Sequence, residues 1–489
     1  MVPNLQKPTF SPSGGATPLS RKDYGVLAAV LILAFVIRLL GIPGRELWYD
    51  ELFSVSYATQ PFGNIVPSIL AYDPHPPLYY LQLRLWMAPS TEVIWLRLNT
   101  ILWSLSAIPP TYLVGRRLFG NLGGFYSAVI LSLSPLAIFF AQEIRMYAMQ
   151  MSLAAFNLFF LERLLADKIR RSDAFLFFIT LVMASYTQGA GFLILASVSA
   201  YCLLRLRFDI FQQRFRLIAL AIFLAALCVL PWLFQAEGTN LRHLRTYNLN
   251  EIPNVLLRLL LGPETGSFPP VLLIVVFLVA ACILGGLVAT PHTRNLAIAY
   301  LLVPFILVLA LAYLVVPLWH HKALAWLLPT LSILFSGAIT ALHQRFEWLR
   351  LAIQILALST ITAVLLPPAL SVNRNQAHSP LWRMHYDVAV LLNRETRPGD
   401  VVAVEDWGDF WSLAWFLAGP GSVDLLDKSS AVSLPNNRWL VKQEIDNRSG
   451  MANWRIDRLP NAHSRIYRQQ ILEEGQREDR FGWLVVHRL

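Results

Sequence analysis

Arg45-Glu46-Leu47-Trp48-Tyr49-Asp50-Glu51-Leu52-Phe53 sets three carboxylates among aromatic rings directly after an apolar run. That run, Tyr24 to Ile42, carries one charge, Arg38, and is about 19 residues long, enough to cross a hydrocarbon core of roughly 30 Å. Asp50 and Glu51 therefore belong at a membrane face. Taken by itself, the pair reads as a hydrated interfacial turn in which Asp50 caps a short helix beginning near Leu52.

The composition around this stretch excludes a soluble globular protein. Of 489 residues, 56% are hydrophobic and 14% charged, with mean hydropathy +0.50, which describes a polytopic membrane protein. The net charge of +10 is spread in short Lys/Arg groups between apolar runs rather than along one face, so it reports topology and not nucleic acid. Cys202, Cys228 and Cys282 all lie inside apolar runs and form neither a disulfide framework nor a metal cluster by spacing. Residues 1–23 read as a disordered cytoplasmic tail rich in Pro, Ser, Thr and Gly, ending at Arg21-Lys22 before a retained first span.

After the opening loop, Asn64 to Met87 carries prolines and an amphipathic stretch, so helices lying in the interface are expected there. Further spans are expected near Val93–Val114, Leu122–Phe140, Met146–Leu165, Ala174–Tyr186, Gly191–Leu204, Leu217–Phe234, Val271–Ala289, Leu296–Val316, Ala323–Leu342 and Leu351–Leu370. With the first they number about eleven. Basic residues gather in alternate loops: Arg116-Arg117, Lys168 to Arg171, Arg205 to Arg216, Arg294, and Arg345 with Arg350, all on the side of Arg21-Lys22. The opposite, outer side receives the Asp50 loop, Gln142 to Tyr147, Gln235 to Pro270, and Pro317 to Lys322. An odd span count places the tail on that side too. Residues 24–371 thus form a transmembrane domain and 372–489 a small α/β extracytoplasmic domain, with strands expected at Val401–Val404 and Trp483–Val486 and a helix at Trp407–Leu417.

Three polar clusters share the outer side with Asp50. In Tyr72-Asp73-Pro74-His75-Pro76-Pro77-Leu78-Tyr79-Tyr80 the prolines forbid a helix through His75 and hold it extended. In Ala141-Gln142-Glu143-Ile144-Arg145-Met146-Tyr147, helical spacing pairs Gln142 with Arg145 and Glu143 with Tyr147. Trp319-His320-His321-Lys322 adds cationic donors for an anion. An interfacial His or Arg is commonly structural, but carboxylates and cations converging from distant sequence on one face describe an outward-facing site.

The acidic pair Asp50-Glu51 after the first span, His75-Pro76-Pro77-Leu78-Tyr79-Tyr80, and Gln142-Glu143-Ile144-Arg145-Met146-Tyr147 resemble, in that order, the GT-C class of polytopic glycosyltransferases. The likeness is to the bacterial branch related to protein O-mannosyltransferases and the lipid A aminoarabinose transferase, and covers Tyr24 to Leu370. It departs at Thr187-Gln188, where relatives often carry His, and at His320-His321-Lys322, where many carry Arg-Tyr.

The resemblance implies a polyprenyl-phosphate-linked sugar donor, an acceptor hydroxyl on a glycolipid, protein or polysaccharide, and a bacterial inner-membrane location. A glycosyl phosphate already carries a good leaving group, so one base and one anion clamp suffice, unlike the two-carboxylate hydrolases. Asp50 is expected to be the base of an inverting displacement, with Arg145, Lys322 and His320 holding the phosphate. Glu51, His75, Tyr79, Tyr80, Gln142, Glu143 and Tyr147 are the expected substrate-binding side chains. No cofactor is required on this reading. Asp50, Glu51, Asp73 and His75 have ligand types suited to a divalent metal, but their spacing matches no zinc pattern. The alternative is a multi-pass transporter or lipid flippase with an outward-facing charged site; it lacks a repeat between halves, and the charges sit at one face rather than the midplane.

Overall fold

The computed structural model describes residues 19–40, 42, 47, 49–73, 75–166, 169–206, 212–235, 252–262, 291–314, 321–378, 384–404, 407–418, 431–434, 438–442, 454–458, 478–481 and 484–488. They fall into two compact units. One holds the chain to Leu39, Ile69–Tyr79 and Leu98–Val372; the other holds Leu40–Ser68, Tyr80–Arg97 and Asn373–Leu489.

The first unit is helical. Helix α1 (Arg21–Leu39) begins with a capping box. The backbone N–H and hydroxyl of Ser20 donate to Asp23 at 2.8 and 2.7 Å, and the Asp23 N–H donates back to Ser20 Oγ at 3.2 Å. These bonds hold the Asp23 carboxyl below its ordinary range, helped by Tyr112 and Arg116.

Helices α5 (Val93–Ser106) and α6 (Ile108–Leu133) follow the interfacial stretch, and α6 is two segments meeting at Gly120, whose φ of 74° is left-handed. A Cβ built on Gly115 would lie 2.9 Å from the Gly123 carbonyl. Eight residues of continuous helix span about 12 Å, so the chain must turn back at Gly120. The expected boundary between two spans at Arg116-Arg117 is this turn.

The second of these spans, expected to run unbroken to Phe140, instead breaks at Ser134-Pro135 and bends by 58° into α7 (Pro135–Ala141). Proline has no N–H to continue the ladder, and Ser134 Oγ caps the new helix by accepting from the Ala137 N–H at 3.4 Å.

Helices α8 (Tyr147–Leu164), α9 (Arg171–Ser185), α10 (Phe192–Leu206), α11 (Gln213–Gln235) and the short α12 (Ile252–Leu261) come next. Helices α13 (Pro291–Ala297) and α14 (Val303–Leu314) flank a π-helical turn, Ile298–Leu302. A 3-10 stretch, His321–Leu327, leads into α15 (Leu328–Arg345), and α16 (Arg350–His378) follows.

Among the described residues, five helices are long and apolar enough to cross a membrane: 189–206, 213–232, 293–311, 321–345 and 350–370. The expected span at Val271–Ala289 lies outside the described residues.

Arginines from the basic loops meet carboxylates at helix ends. Glu162 pairs with Arg117 at 3.5 Å and Arg205 at 3.8 Å and accepts from the Tyr201 hydroxyl; Asp173 pairs with Arg163 at 3.0 Å.

The second unit contains α2 (Tyr49–Thr59), most of α3 (Phe62–Tyr72) and α4 (Leu78–Trp86), α17 (Met384–Glu395) and α18 (Trp407–Ala418). Its sheet comprises β1 (Val401–Val404), β2 (Ala431–Leu434), β3 (Arg438–Lys442), β4 (Trp454–Arg458), β5 (Glu478–Phe481) and β6 (Leu484–Arg488), in the order β2-β3-β1-β4-β6-β5. Strand β1 runs parallel to both β3 and β4, and the other pairings are antiparallel. Helix α18 packs on β1, β2 and β3 and also on α2, so the helix that follows the first span shares a core with the C-terminal sheet. Trp86 and Trp95 lock the interfacial stretch: their rings stack at 4.6 Å, and each indole N–H donates to the other's carbonyl, at 2.8 and 2.9 Å.

Small residues let α6 pack closely on α15. Ser127 and Ser336 share a hydrogen bond at 2.7 Å, and a Cβ on Gly337 would meet the Phe119 ring at 2.4 Å. Gly337→Ala should therefore cost about 1–3 kcal/mol, read as a lower unfolding midpoint in detergent, and Phe119→Leu in the same chain should recover at least half of the loss. An unchanged midpoint for Gly337→Ala would show that the helices do not approach this closely.

Candidate functional site

In the second unit, α2 starts at Tyr49, so Asp50 stands in its first turn and is not the cap of a helix beginning at Leu52. A carboxylate there is favoured by the helix dipole, which removes the need for a separate cap. Its side chain is half-buried, whereas that of Glu51 is completely enclosed.

Arg97 grips Glu51 with both Nη groups, at 3.0 Å to Oε1 and 3.2 Å to Oε2. Both side chains are 0% exposed. Arg97 lies inside an apolar stretch 46 positions away, where the sequence reading passed over it. A lone charge in such a run was the available signal. The aromatic side of α2 is equally packed: Tyr57 lies 6.4 Å from Phe53 and 5.2 Å from the buried Tyr80.

In the first unit, the structure brings together clusters that the sequence expects on one side. Gln142 to Met146 form the turn between α7 and α8, and Gln142, Glu143, Arg145 and Tyr147 are all buried. Lys322 comes to this turn from the start of the 3-10 stretch, with Nζ 3.8 Å from Glu143 Oε1 and 5.7 Å from the centre of the Tyr147 ring. Phe140 stacks between them, 4.6 Å from Tyr147 and 6.3 Å from the buried His321.

The turn is anchored from below by hydroxyl and amide groups. Thr100 Oγ1 donates to the Ala141 carbonyl at 2.8 Å, and Gln142 Nε2 donates to the Arg38 carbonyl at 2.9 Å.

His75 joins this unit through the segment after α9. The Gly189 N–H donates to His75 Nδ1 at 3.3 Å, the Leu78 N–H donates to the Tyr186 carbonyl at 3.2 Å, and the His75 N–H donates to Asp73 Oδ1 at 2.7 Å. Gln188 Nε2 in turn donates to the Lys322 carbonyl at 3.2 Å. Thr187-Gln188, where the sequence departs from the resembling family, is thus a structural link between two of the expected clusters. Tyr79 is fully buried, and His320 lies outside the described residues. Among the described residues, no three His, Cys, Asp or Glu side chains gather as a metal site requires.

By sequence, no family profile matches the chain, and no curated protein does. By structure it is similar to ArnT from Cupriavidus metallidurans in the apo state, with a TM-score of 0.62 at 13% identity over 95% of this chain and 98% of that one. It is also similar to the same protein bound to undecaprenyl phosphate, with a TM-score of 0.60 at 15% identity over 95% and 97%. The Archaeoglobus fulgidus oligosaccharyltransferase matches with a TM-score of 0.53 at 14% identity, over 81% of this chain and 63% of that one. The fold implied by the resemblance to GT-C glycosyltransferases is the fold observed.

The enclosed Glu51–Arg97 pair makes a direct prediction. Arg97→Met leaves a buried carboxylate without its cation and should cost about 3–5 kcal/mol, whereas Glu51→Met with Arg97→Met should return to within about 1 kcal/mol of the parent. Denaturant unfolding in detergent measures both. A double variant as unstable as the single one would mean that the pair contributes more than charge compensation.

Proposed function

We propose that the chain is a membrane glycosyltransferase that moves a sugar from a polyprenyl-phosphate-linked donor to an acceptor hydroxyl at the outer face. The observation that carries this reading is the ArnT-like fold along 95% of the chain, with one of the related structures holding undecaprenyl phosphate. About eleven spans, an outer C-terminal domain and a bacterial inner-membrane location belong to the same proposal.

Asp50 is its base. It is the half-buried member of the acidic pair, so its carboxylate accepts the hydroxyl proton while the acceptor oxygen forms its bond to the anomeric carbon. The bond from that carbon to the phosphate oxygen breaks on the opposite side, the configuration inverts, and the polyprenyl phosphate leaves with the electron pair. Arg145 and Lys322, with His320, bind the phosphate as its charge grows. Lys322 Nζ already lies 3.8 Å from Glu143 Oε1, beside the turn that carries Arg145.

Glu51 belongs behind the base rather than against substrate, because both its oxygens face Arg97. His75, Tyr79, Tyr80, Gln142, Glu143 and Tyr147 are the substrate-binding side chains of the same proposal. No metal is required on this reading, and a chelator should leave turnover within about twofold of the untreated rate.

The test is transfer of labelled sugar in membranes from a panel of polyprenyl-phosphate donors, at matched protein levels. Asp50→Asn should lose about 10²–10⁴-fold of the rate. Turnover of the Asn variant within a few-fold of the parent would remove Asp50 from the mechanism, and no turnover with any donor would overturn the transferase reading itself.

A further inference from the structure

Arg38 is the only charge between Tyr24 and Ile42, and its side chain is 0% exposed. A cation so placed within an apolar run is costly unless every proton finds an acceptor. Among the described residues its acceptors are all neutral. Nε donates to Ser104 Oγ at 2.9 Å, Nη1 to the carbonyls of Ser132 at 3.0 Å and Ala34 at 3.1 Å, and Nη2 to that of Leu131 at 3.5 Å.

Two of these acceptors explain why a guanidinium is there. Leu131 and Ser132 close the helix that breaks at Ser134-Pro135. The residue four places after Leu131, which would donate to its carbonyl in a continuous helix, is Pro135 and has no N–H. The Ser134 N–H closes a tighter, three-residue bond on the Leu131 carbonyl at 3.4 Å, and Arg38 adds donors there and at Ser132 in a setting where water cannot.

The same residue acts at the other end of α7. Its carbonyl accepts Gln142 Nε2 at 2.9 Å, immediately after α7 ends and where the turn carrying Glu143, Arg145 and Tyr147 begins. Ser104, which receives the Arg38 Nε proton, passes its own to the Ala137 carbonyl of α7 at 3.3 Å. The side chain thus sets how α7 leaves the break, and the backbone sets where it delivers the polar turn.

We propose that Arg38 is a positioning residue: by holding both ends of α7 it aims the Gln142–Tyr147 turn at Lys322. Its placement of Glu143 beside Lys322 is independent of the transferase reading; its effect on turnover rests on that reading.

The test measures acylation of Lys322 by a water-soluble amine reagent on the full chain in detergent, read by peptide mass, with Lys22 as internal control. The variants are Arg38→Lys, Arg38→Met and Gln142→Leu, compared at equal fraction folded. Displacing Glu143 uncovers the Lys322 amine, so Arg38→Met and Gln142→Leu should raise the Lys322 rate at least threefold with Lys22 unchanged. Arg38→Lys should fall between them and the parent. Where Arg38→Met does not fold, Gln142→Leu and Arg38→Lys still decide the matter, since each removes only part of the anchoring. Parental Lys322 rates in both would overturn the proposal. In the transfer assay the same variants should lower kcat at least tenfold with acceptor KM within about twofold. A raised Lys322 rate in a chain that turns over no donor would keep the positioning role and sink the transferase reading.

Discussion

A backbone carbonyl inside an apolar medium must have a donor, and at Leu131 the donor that helix geometry would supply is a proline nitrogen. Much of the first unit follows from how that deficit is met. The chain bends by 58°, Ser134 starts a new helix and turns its N–H back to the Leu131 carbonyl, and Arg38 reaches over from α1 to add donors at Leu131 and Ser132. A straight span would have carried Gln142, Glu143 and Arg145 along its own axis. The broken one sets them in a turn that Lys322 meets from another part of the chain, over the ring of Tyr147.

Charges are treated in two ways throughout. Where arginines from the basic loops meet Asp23, Glu162 and Asp173, each carboxylate sits at a helix end with a cation within 4 Å, and the pairs fasten helices. Near the expected site the cations are held differently. Lys322 Nζ lies 3.8 Å from one carboxylate oxygen and over an aromatic face and is partly exposed, whereas Arg97 grips both oxygens of Glu51 in full enclosure.

The long apolar helices were legible because length and apolarity are one-dimensional: α10 and α11, both long and apolar enough to cross a membrane, begin and end within a few residues of expectation. The break at Ser134-Pro135 was not, since a length criterion runs straight through a proline flanked by Leu and Phe. The three outer clusters were legible as polar exceptions in an apolar chain, and the first unit does join Gln142–Tyr147, Lys322 and His75 through Gln188 and Gly189. What held them was not legible. Arg97, Thr100 and Ser104 look like tolerated polar residues in a span, and their partners lie 46, 41 and 33 positions away. In the C-terminal region, β1 stood out as an unbroken Val-rich run, while β3 and β4 are five residues each with basic ends that masked them.

The adjacent carboxylates show how one dipeptide divides its work. Successive residues of a helix point about 100° apart, so Asp50 and Glu51 in the first turn of α2 cannot face the same environment. Arg97 captures Glu51 and thereby fixes the rotation of the helix about its axis. With that rotation set, Asp50 takes a different direction from Glu51 and is half-buried. In the proposed mechanism the second acid is what directs the first: an Asp alone at the start of a short helix would leave its direction to the packing of Tyr57 on Tyr80. A buried ion pair contributes little net stability, and its value here is directional.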